Sequence, residues 1–283
     1  MKLTSVFQTI AFLAVSADAV NPRAKTTSKR KELWKPEVGA KWEMILNQVF
    51  KLPSGGASKL DPSVTVYDLD LYDNSKETFA ALQKAGKHVI CYFSAGSWED
   101  WRDDKDEFPA KDLGKVLDGW PDEKWVNTKS TAIRAIMAKR IKVAADKGCD
   151  AIDPDNMDAY NNDNGLGLTQ ADTISYVKFL SKEAEKYNMV MGMKNSGEVT
   201  EQILPYVGFA VNEQCIEYKE CGLYTPYIDG DKPVFNVEYP KGAPNVKASD
   251  KKKICSTTGD AAGSDGFSKI IKKLSLDTWT LYC

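Results

Sequence analysis

The sequence predicts an α/β fold, a single (β/α)8 barrel. Three observations predict it. Eight short runs rich in β-branched and aromatic residues recur along the chain, and amphipathic helical patterns lie between them. The alternation extends over about 240 residues, the size of one closed barrel, and it lacks the glycine-rich turn that an open dinucleotide-binding sheet places after its first strand.

Taken in order, residues 1–19 carry Lys2, an apolar run over 6–15 and then Ala17-Asp18-Ala19. This is the pattern of a signal peptide cleaved after a small-x-small site, because the apolar run is about half of the roughly 20 residues a bilayer span requires. Export is expected, with no membrane association after cleavage. Residues 20–40 read as a basic, flexible segment, within which, over 21–35, Arg23, Lys25, Lys29, Arg30, Lys31 and Lys35 face only Glu32. Since the whole chain has a net charge of −2, the remainder is acidic. That balance argues against a nucleic-acid partner.

The barrel domain is expected over 41–283. Its strands are predicted at 42–46, 64–70, 88–94, 150–155, 189–194, 208–213, 233–238 and 268–274, and its principal helices at 75–85, 130–147 and 170–187. Thr169 is suited to cap the last helix, while Gly86 and Gly148 stop the first two just before strands begin. Residues 51–58 contain no helical pattern and run into Asp61-Pro62, so no phosphate cradle forms there. No element is assigned between 95 and 129.

Six cysteines in an exported chain favour three disulfides. Spacing suggests Cys215 with Cys221 and Cys255 with Cys283, leaving Cys91 with Cys149, although six cysteines permit fifteen pairings. With one histidine, His88, and no CxxC, neither a zinc site nor any other cofactor is expected.

Chemistry in such a barrel belongs at the C-terminal strand ends. There the predicted strands carry Asp68, Asp70 and Asp73; Asp153, Asp155, Asn156 and Asp158; Asn212, Glu213 and Gln214; and Glu238 with Tyr239. Asp153 and Asp155 are two residues apart and face the same way, an arrangement whose repulsion calls for a cation or a shared proton. A calcium loop over Asp155, Asp158, Asn161 and Asp163 is a rival reading, but the EF-hand order is absent. His88 opens its strand at the opposite end of the barrel, so a nucleophilic triad has no base. Carboxylates must therefore do the acid–base work. Paired acids, with Tyr92, Trp98, Trp101, Tyr160, Tyr224, Tyr227 and Tyr239 following or ending strands, describe a glycosidase with a sugar-stacking groove.

Five ordered motifs carry a resemblance: WEMIL at 42–46, CYFSAG at 91–96, DPDNMD at 153–158, MKN at 193–195 and NEQC at 212–215. Together they resemble glycoside hydrolase family 114, which contains endo-α-1,4-polygalactosaminidases, and the likeness runs from about Lys41 to Leu276. Asn47 departs from the glutamine expected after the first motif. The resemblance implies a secreted hydrolase that cuts galactosamine polymers such as deacetylated galactosaminogalactan. It places the catalytic pair on an aspartate of the fourth strand, Asp155 in preference to Asp153, and on Glu213 as general acid/base. By the same reading, Asp70, Asp153, Asp158 and Glu238 would hold ammonium groups of the sugar. Tyr92, Trp98, Asn156, Asn195, Gln214 and Tyr239 would line the groove. Lys194 is expected to pair with Asp153 or Asp155. The partner is thus a cationic polysaccharide, and a monomer is expected. Alternatives are a catalytically silent carbohydrate-binding barrel and a hydrolase of another α-galactoside.

Overall fold

The structure is a computed structural model that describes residues 33–283. The expected signal peptide and most of the basic segment lie outside the described residues. In chain order the barrel begins with β1 (Lys41–Ile45), β2 (Val64–Asp70), α1 (Lys76–Lys84) and β3 (His88–Ser94). An excursion of three strands follows: β4 (Ser97–Glu99), β5 (Leu113–Leu117) and β6 (Trp120–Val126). Then come α2 (Thr131–Lys147), β7 (Ala151–Asp155), α3 (Gln170–Glu185), β8 (Val190–Lys194), α4 (Thr200–Ile203) and β9 (Phe209–Glu213). The chain continues through α5 (Cys215–Tyr218), α6 (Thr225–Asp229), β10 (Val234–Glu238), α7 (Ala248–Ile254), β11 (Ser268–Ile271) and β12 (Leu281–Tyr282).

Hydrogen-bonded neighbours run β1-β2-β3-β7-β8-β9-β10-β11-β12. The first eight of these are joined in parallel, and β12 adds antiparallel to β11. Side chains close the seam between β1 and β11. The Trp42 indole donates to the carbonyl of Ser268 at 2.9 Å, and buried Lys272 reaches Glu43 at 2.9 Å. All eight expected strands are present, most within a residue or two of their predicted ends, because alternation of β-rich runs with helices is a local pattern. Thr169 caps α3 in a reciprocal box with Asp172.

Two apolar layers follow from strand parity. Trp42, Met44, Val66, Ile90, Phe209, Val211, Phe235 and Val237 fill the barrel interior. Cys91, Ile152, Met191, Met193 and Ala210 face outward and pack with Phe79, Leu82, Met137, Ile141, Val177 and Leu180 of the helices. Both faces of each strand are thereby buried, as a parallel barrel requires.

Trp34 stacks on His88 with ring centroids 4.4 Å apart, so the packed chain begins ahead of the expected boundary at 41. Disulfides join Cys91 to Cys149, Cys215 to Cys221 and Cys255 to Cys283, the pairing that spacing suggested. Among the described residues no helix is long and apolar enough to cross a membrane.

The excursion after β3 was not anticipated. Its strands form a separate antiparallel sheet in the order β4-β6-β5. Sequence alternation is weak there because β5 and β6 keep much of their surface in water. The legible signal was Asp118-Gly119, a hairpin dipeptide between two short runs, and Gly119 does adopt the left-handed φ of +80° such turns use.

Candidate active site

Asp155, Lys194 and Glu213 end the adjacent strands β7, β8 and β9 and point into the barrel mouth. The Lys194 ammonium, itself buried, lies 3.3 Å from Oδ1 of Asp155 and 3.0 Å from Oε2 of Glu213. Each acid is also held by a phenol. Tyr92 donates to Oδ2 of Asp155 at 2.7 Å, and Tyr239 donates to Oε1 of Glu213 at 2.6 Å.

Backbone turns complete the clamp. Asn156, Asn195, Ser196 and Gln214 all have left-handed φ, between 49° and 61°, directly after the three strand ends. Asparagine tolerates this region better than most side chains, and its use here folds the neighbouring amides back on the acids. The Asn156 amide donates to Oδ1 of Asp155 at 2.7 Å. The Asn195 side chain donates to Oε2 of Glu213 at 3.2 Å and accepts from the Glu213 amide at 2.9 Å.

Burial alone would lower the Lys194 pKa, but the charges of Asp155, Glu213 and Asp153 raise it well above the usual lysine value. The lysine is thus a fixed cation. Burial, reinforced by the neighbouring acids, likewise pushes Tyr92 and Tyr239 well up, keeping both phenols as donors. Beneath them Asp153 is fully buried, and burial raises its pKa to about 7 despite Lys194. Burial and the facing Asp153 carboxyl raise Asp68 well above the aspartate range. Both shifts favour the protonated carboxyl inside the barrel.

The site opens into a cavity of about 410 Å³ lined by Tyr92, Trp101, Trp120, Glu123, Asp155 and Lys194. A second cavity of about 600 Å³, lined by Asn161, Ser196, Glu198, Gln214, Tyr218 and Glu220, adjoins it. Asp158, Asn195 and Glu213 belong to both, so Glu213 stands at their junction while Asp155 lines only the first.

Residues 23–283 match the model of glycoside-hydrolase family GH114. The chain belongs to that family. It is also similar to Aspergillus fumigatus Ega3, whose crystal structure holds galactosamine: 46% identity over 90% of this chain and 99% of that one, with a TM-score of 0.82. The glycoside hydrolase domain of PelA from Pseudomonas aeruginosa shares the fold, at 12% identity over 86% of this chain and 98% of that one, with a TM-score of 0.61. No curated protein matches.

As a GH114 glycoside hydrolase, the chain uses its antiparallel excursion to complete the cleft. Arg102 joins Asp70 at 2.8 Å to Glu99 at 2.9 Å, and Arg140 of α2 joins Glu99 at 3.2 Å to Asp104 at 2.8 Å. This buried network ties the excursion to the barrel rim and delivers Glu99, Glu123 and the half-exposed Trp101 and Trp120 to the cleft. Sequence reasoning missed Glu99, Arg102, Glu123 and Trp120, because strand-end logic looks only at barrel strands.

The structure places the expected sugar contacts of this GH114 barrel in differing surroundings. Asp70 lines the cleft, but Arg102 and the Tyr72 and Asp73 amides engage it. Asp153 lies below the floor. Glu238 is in register to face outward and accepts from the Ile216 amide and Asn236, so it supports the wall instead of touching the cleft. Trp98 donates to the carbonyl of Lys105 and lies under Lys124, leaving the cleft to Trp101 and Trp120. Tyr227 belongs to the core, Tyr224 is buried in the core but edges the second cavity, and Tyr160 donates to Glu198. Gln214 lines the second cavity and donates to Glu217. Lys194 pairs with Asp155 as expected, and with Glu213, which was not. Asp158 remains in the cleft with its pKa raised to about 6 by burial and by Asp155. The calcium reading loses its geometry, since Asp163 turns to Lys115 and Asn161 to Glu198. Asn47, the departure from the family pattern, lies on the cleft wall.

Proposed function

We propose that this chain is a secreted endo-α-1,4-polygalactosaminidase that acts as a monomer by a retaining, two-carboxylate mechanism. One observation carries the reading: a single buried ammonium lies within 3.3 Å of Asp155 and 3.0 Å of Glu213, at the mouth of a GH114 barrel. Laid end to end, those two distances keep the engaged oxygens within about 6.3 Å of each other. For these two facing oxygens the limit admits the roughly 5 to 5.5 Å carboxyl spacing of a retaining enzyme, which supports that reading. The galactosamine held by Ega3 supports the substrate class.

Position supports a division of roles. A general acid must reach the oxygen bridging two sugars, so Glu213, at the junction of the two cavities, protonates the leaving oxygen. Asp155, within the first cavity, attacks the anomeric carbon as that carbon–oxygen bond breaks, giving a glycosyl ester. Water then loses a proton to Glu213 and attacks the same carbon, releasing Asp155. Lys194, Tyr92 and Tyr239 hold both acids in place throughout. Asp158, lining both cavities, binds an ammonium beside the cut. Two adjoining cavities suit internal cleavage of a chain. Both acids and both cavities come from one chain, which supports the monomer. The signal sequence and the three disulfides support export.

The test is incubation of α-1,4-galactosamine polymer with wild type, Asp155→Asn and Glu213→Gln. Oligosaccharide release by wild type alone is expected. Equal binding without release by any of the three would mean a silent binding barrel, and equal cutting of neutral galactan would mean a broader α-galactoside hydrolase.

A further inference from the structure

Three acids of the first cavity, Asp73, Glu123 and Asp158, pair with no cation among the described residues, and Glu123 is the buried one of the three. It comes from β6 of the excursion and is 8% exposed. Its Oε2 accepts from the Ser97 hydroxyl at 2.6 Å and from the Asn156 amide group at 3.4 Å. Its Oε1 has no hydrogen-bond donor, and no lysine or arginine among the described residues pairs with it. The neighbouring acids differ. Glu99 has Arg102 and Arg140, Asp70 has Arg102, and Asp155 and Glu213 share Lys194. A buried carboxylate without a counter-charge is costly, so it is retained where something brings the charge to it.

The direction from which that charge arrives is fixed by the lining. Glu123 faces the first cavity together with Asp155, not the second with Glu198. Asn156 connects them: its amide donates to Asp155 while its side chain donates to Ser97 and Glu123. A sugar whose anomeric carbon rests against Asp155 therefore lies beside Glu123. The adjacent Lys124 is turned away over the Trp98 ring. Burial, with added repulsion from Glu99 and Asp155, raises the Glu123 pKa to about 7 against the Ser97 hydrogen bond and the more distant charge of Arg102, and a cation arriving in contact would lower it.

We propose that Glu123 is the specificity residue that reads the ammonium of the amino sugar held over Asp155, selecting it against the N-acetylated sugar, which carries no charge. The proposal rests on the hydrolase reading above and adds a residue outside the barrel strands to it.

The sugar over Asp155 becomes the new reducing end, so selection is written in the products. On a partially N-acetylated galactosamine polymer, wild type is expected to release oligosaccharides whose reducing ends are almost all free amine. Glu123→Gln keeps the acceptor for Ser97 and Asn156 but removes the charge. It should give acetylated reducing ends near their frequency in the polymer, while kcat/KM on fully deacetylated polymer falls about tenfold to a hundredfold, the worth of a charge-assisted hydrogen bond. Glu123→Asp, which keeps the charge, should retain free-amine ends and covers the case in which the glutamine variant does not fold. Unchanged selection in folded Glu123→Gln, or lost selection in folded Glu123→Asp, overturns the proposal. Absence of any release by wild type overturns instead the hydrolase reading beneath it.

Discussion

The ammonium of Lys194 lies 3.0 Å from Oε2 of Glu213, across a single strand boundary of the barrel. Because the same ammonium also holds Asp155, removing it leaves acids facing one another in a buried site. Lys194→Met is expected to lower kcat at least about a hundredfold. It should also reduce the thermal midpoint, since an uncompensated buried charge costs about 3 to 5 kcal/mol. Steady-state rates with a melting curve test this; full activity would remove the lysine from the mechanism.

The two acids are separable by leaving group. Asp155→Asn should lose at least about a thousandfold in rate on every substrate, because no carboxylate remains to form the ester. Glu213→Gln should be comparably slow on the natural polymer yet recover on an activated aryl glycoside, whose leaving group needs no proton. Proton NMR of the first wild-type product should show the α-anomer. A β-anomer would refute retention.

Gly96 is a packing requirement of the loop that follows Asp155. A β-carbon there would fall 1.7 Å from the Asn156 carbonyl oxygen, and the Gly96 amide donates to the Asp155 carbonyl at 3.0 Å. Gly96→Ala must push Asn156 away and Asp155 with it. A loss of at least about tenfold in kcat is expected, as misplacement near 1 Å can cost about a hundredfold. Unchanged kcat would show that the loop yields without moving the acid.

Stability should fall as pH rises through the neutral range. Asp153 keeps its proton to about pH 7 in the folded barrel, and Asp68 is raised as well, whereas the unfolded chain releases both near 3.8. Between those values the folded state binds more protons, so its advantage is full below about pH 4 and shrinks until the folded groups ionise. Glu123, at about 7, and Asp158, at about 6, act in the same direction. The thermal midpoint should be higher at pH 5 than at pH 8, and Asp68→Asn should flatten that slope. A steeper slope in the variant would contradict the raised pKa of Asp68.

The three disulfides should differ in worth by the chain they enclose. Cys91 and Cys149 are 58 residues apart, Cys255 and Cys283 are 28 apart, and Cys215 and Cys221 only 6. By loop entropy the first contributes about 4 kcal/mol and the last about 2. Paired Cys→Ala variants should therefore lose thermal stability in that order, measured by calorimetry.

The barrel was legible because its signals are local. Strand runs, the Thr169 cap and the glycine stops each depend on residues a few positions apart, and the motifs around Asp155 and Glu213 lie on single strand ends. The sequence could not show the parity of a strand buried on both faces, since neither face is marked by polar residues. This is why Glu238 was read as a cleft residue while Val237 and Tyr239 actually face inward. The excursion was hidden for the opposite reason: its strands are too wet to alternate clearly.

By itself, then, the sequence determined a barrel of eight parallel strands and the acids at its C-terminal strand ends, and it suggested the disulfide partners. Only the tertiary structure decided which of those acids are free. Asp70 is taken by Arg102, and Asp153 is buried against Asp68 with its pKa pushed up. Asp155 and Glu213 divide one lysine, and Glu123 arrives unpaired from the excursion. Charge compensation acts through space over a few ångströms, between residues that can be far apart along the chain, so no spacing along the sequence records it.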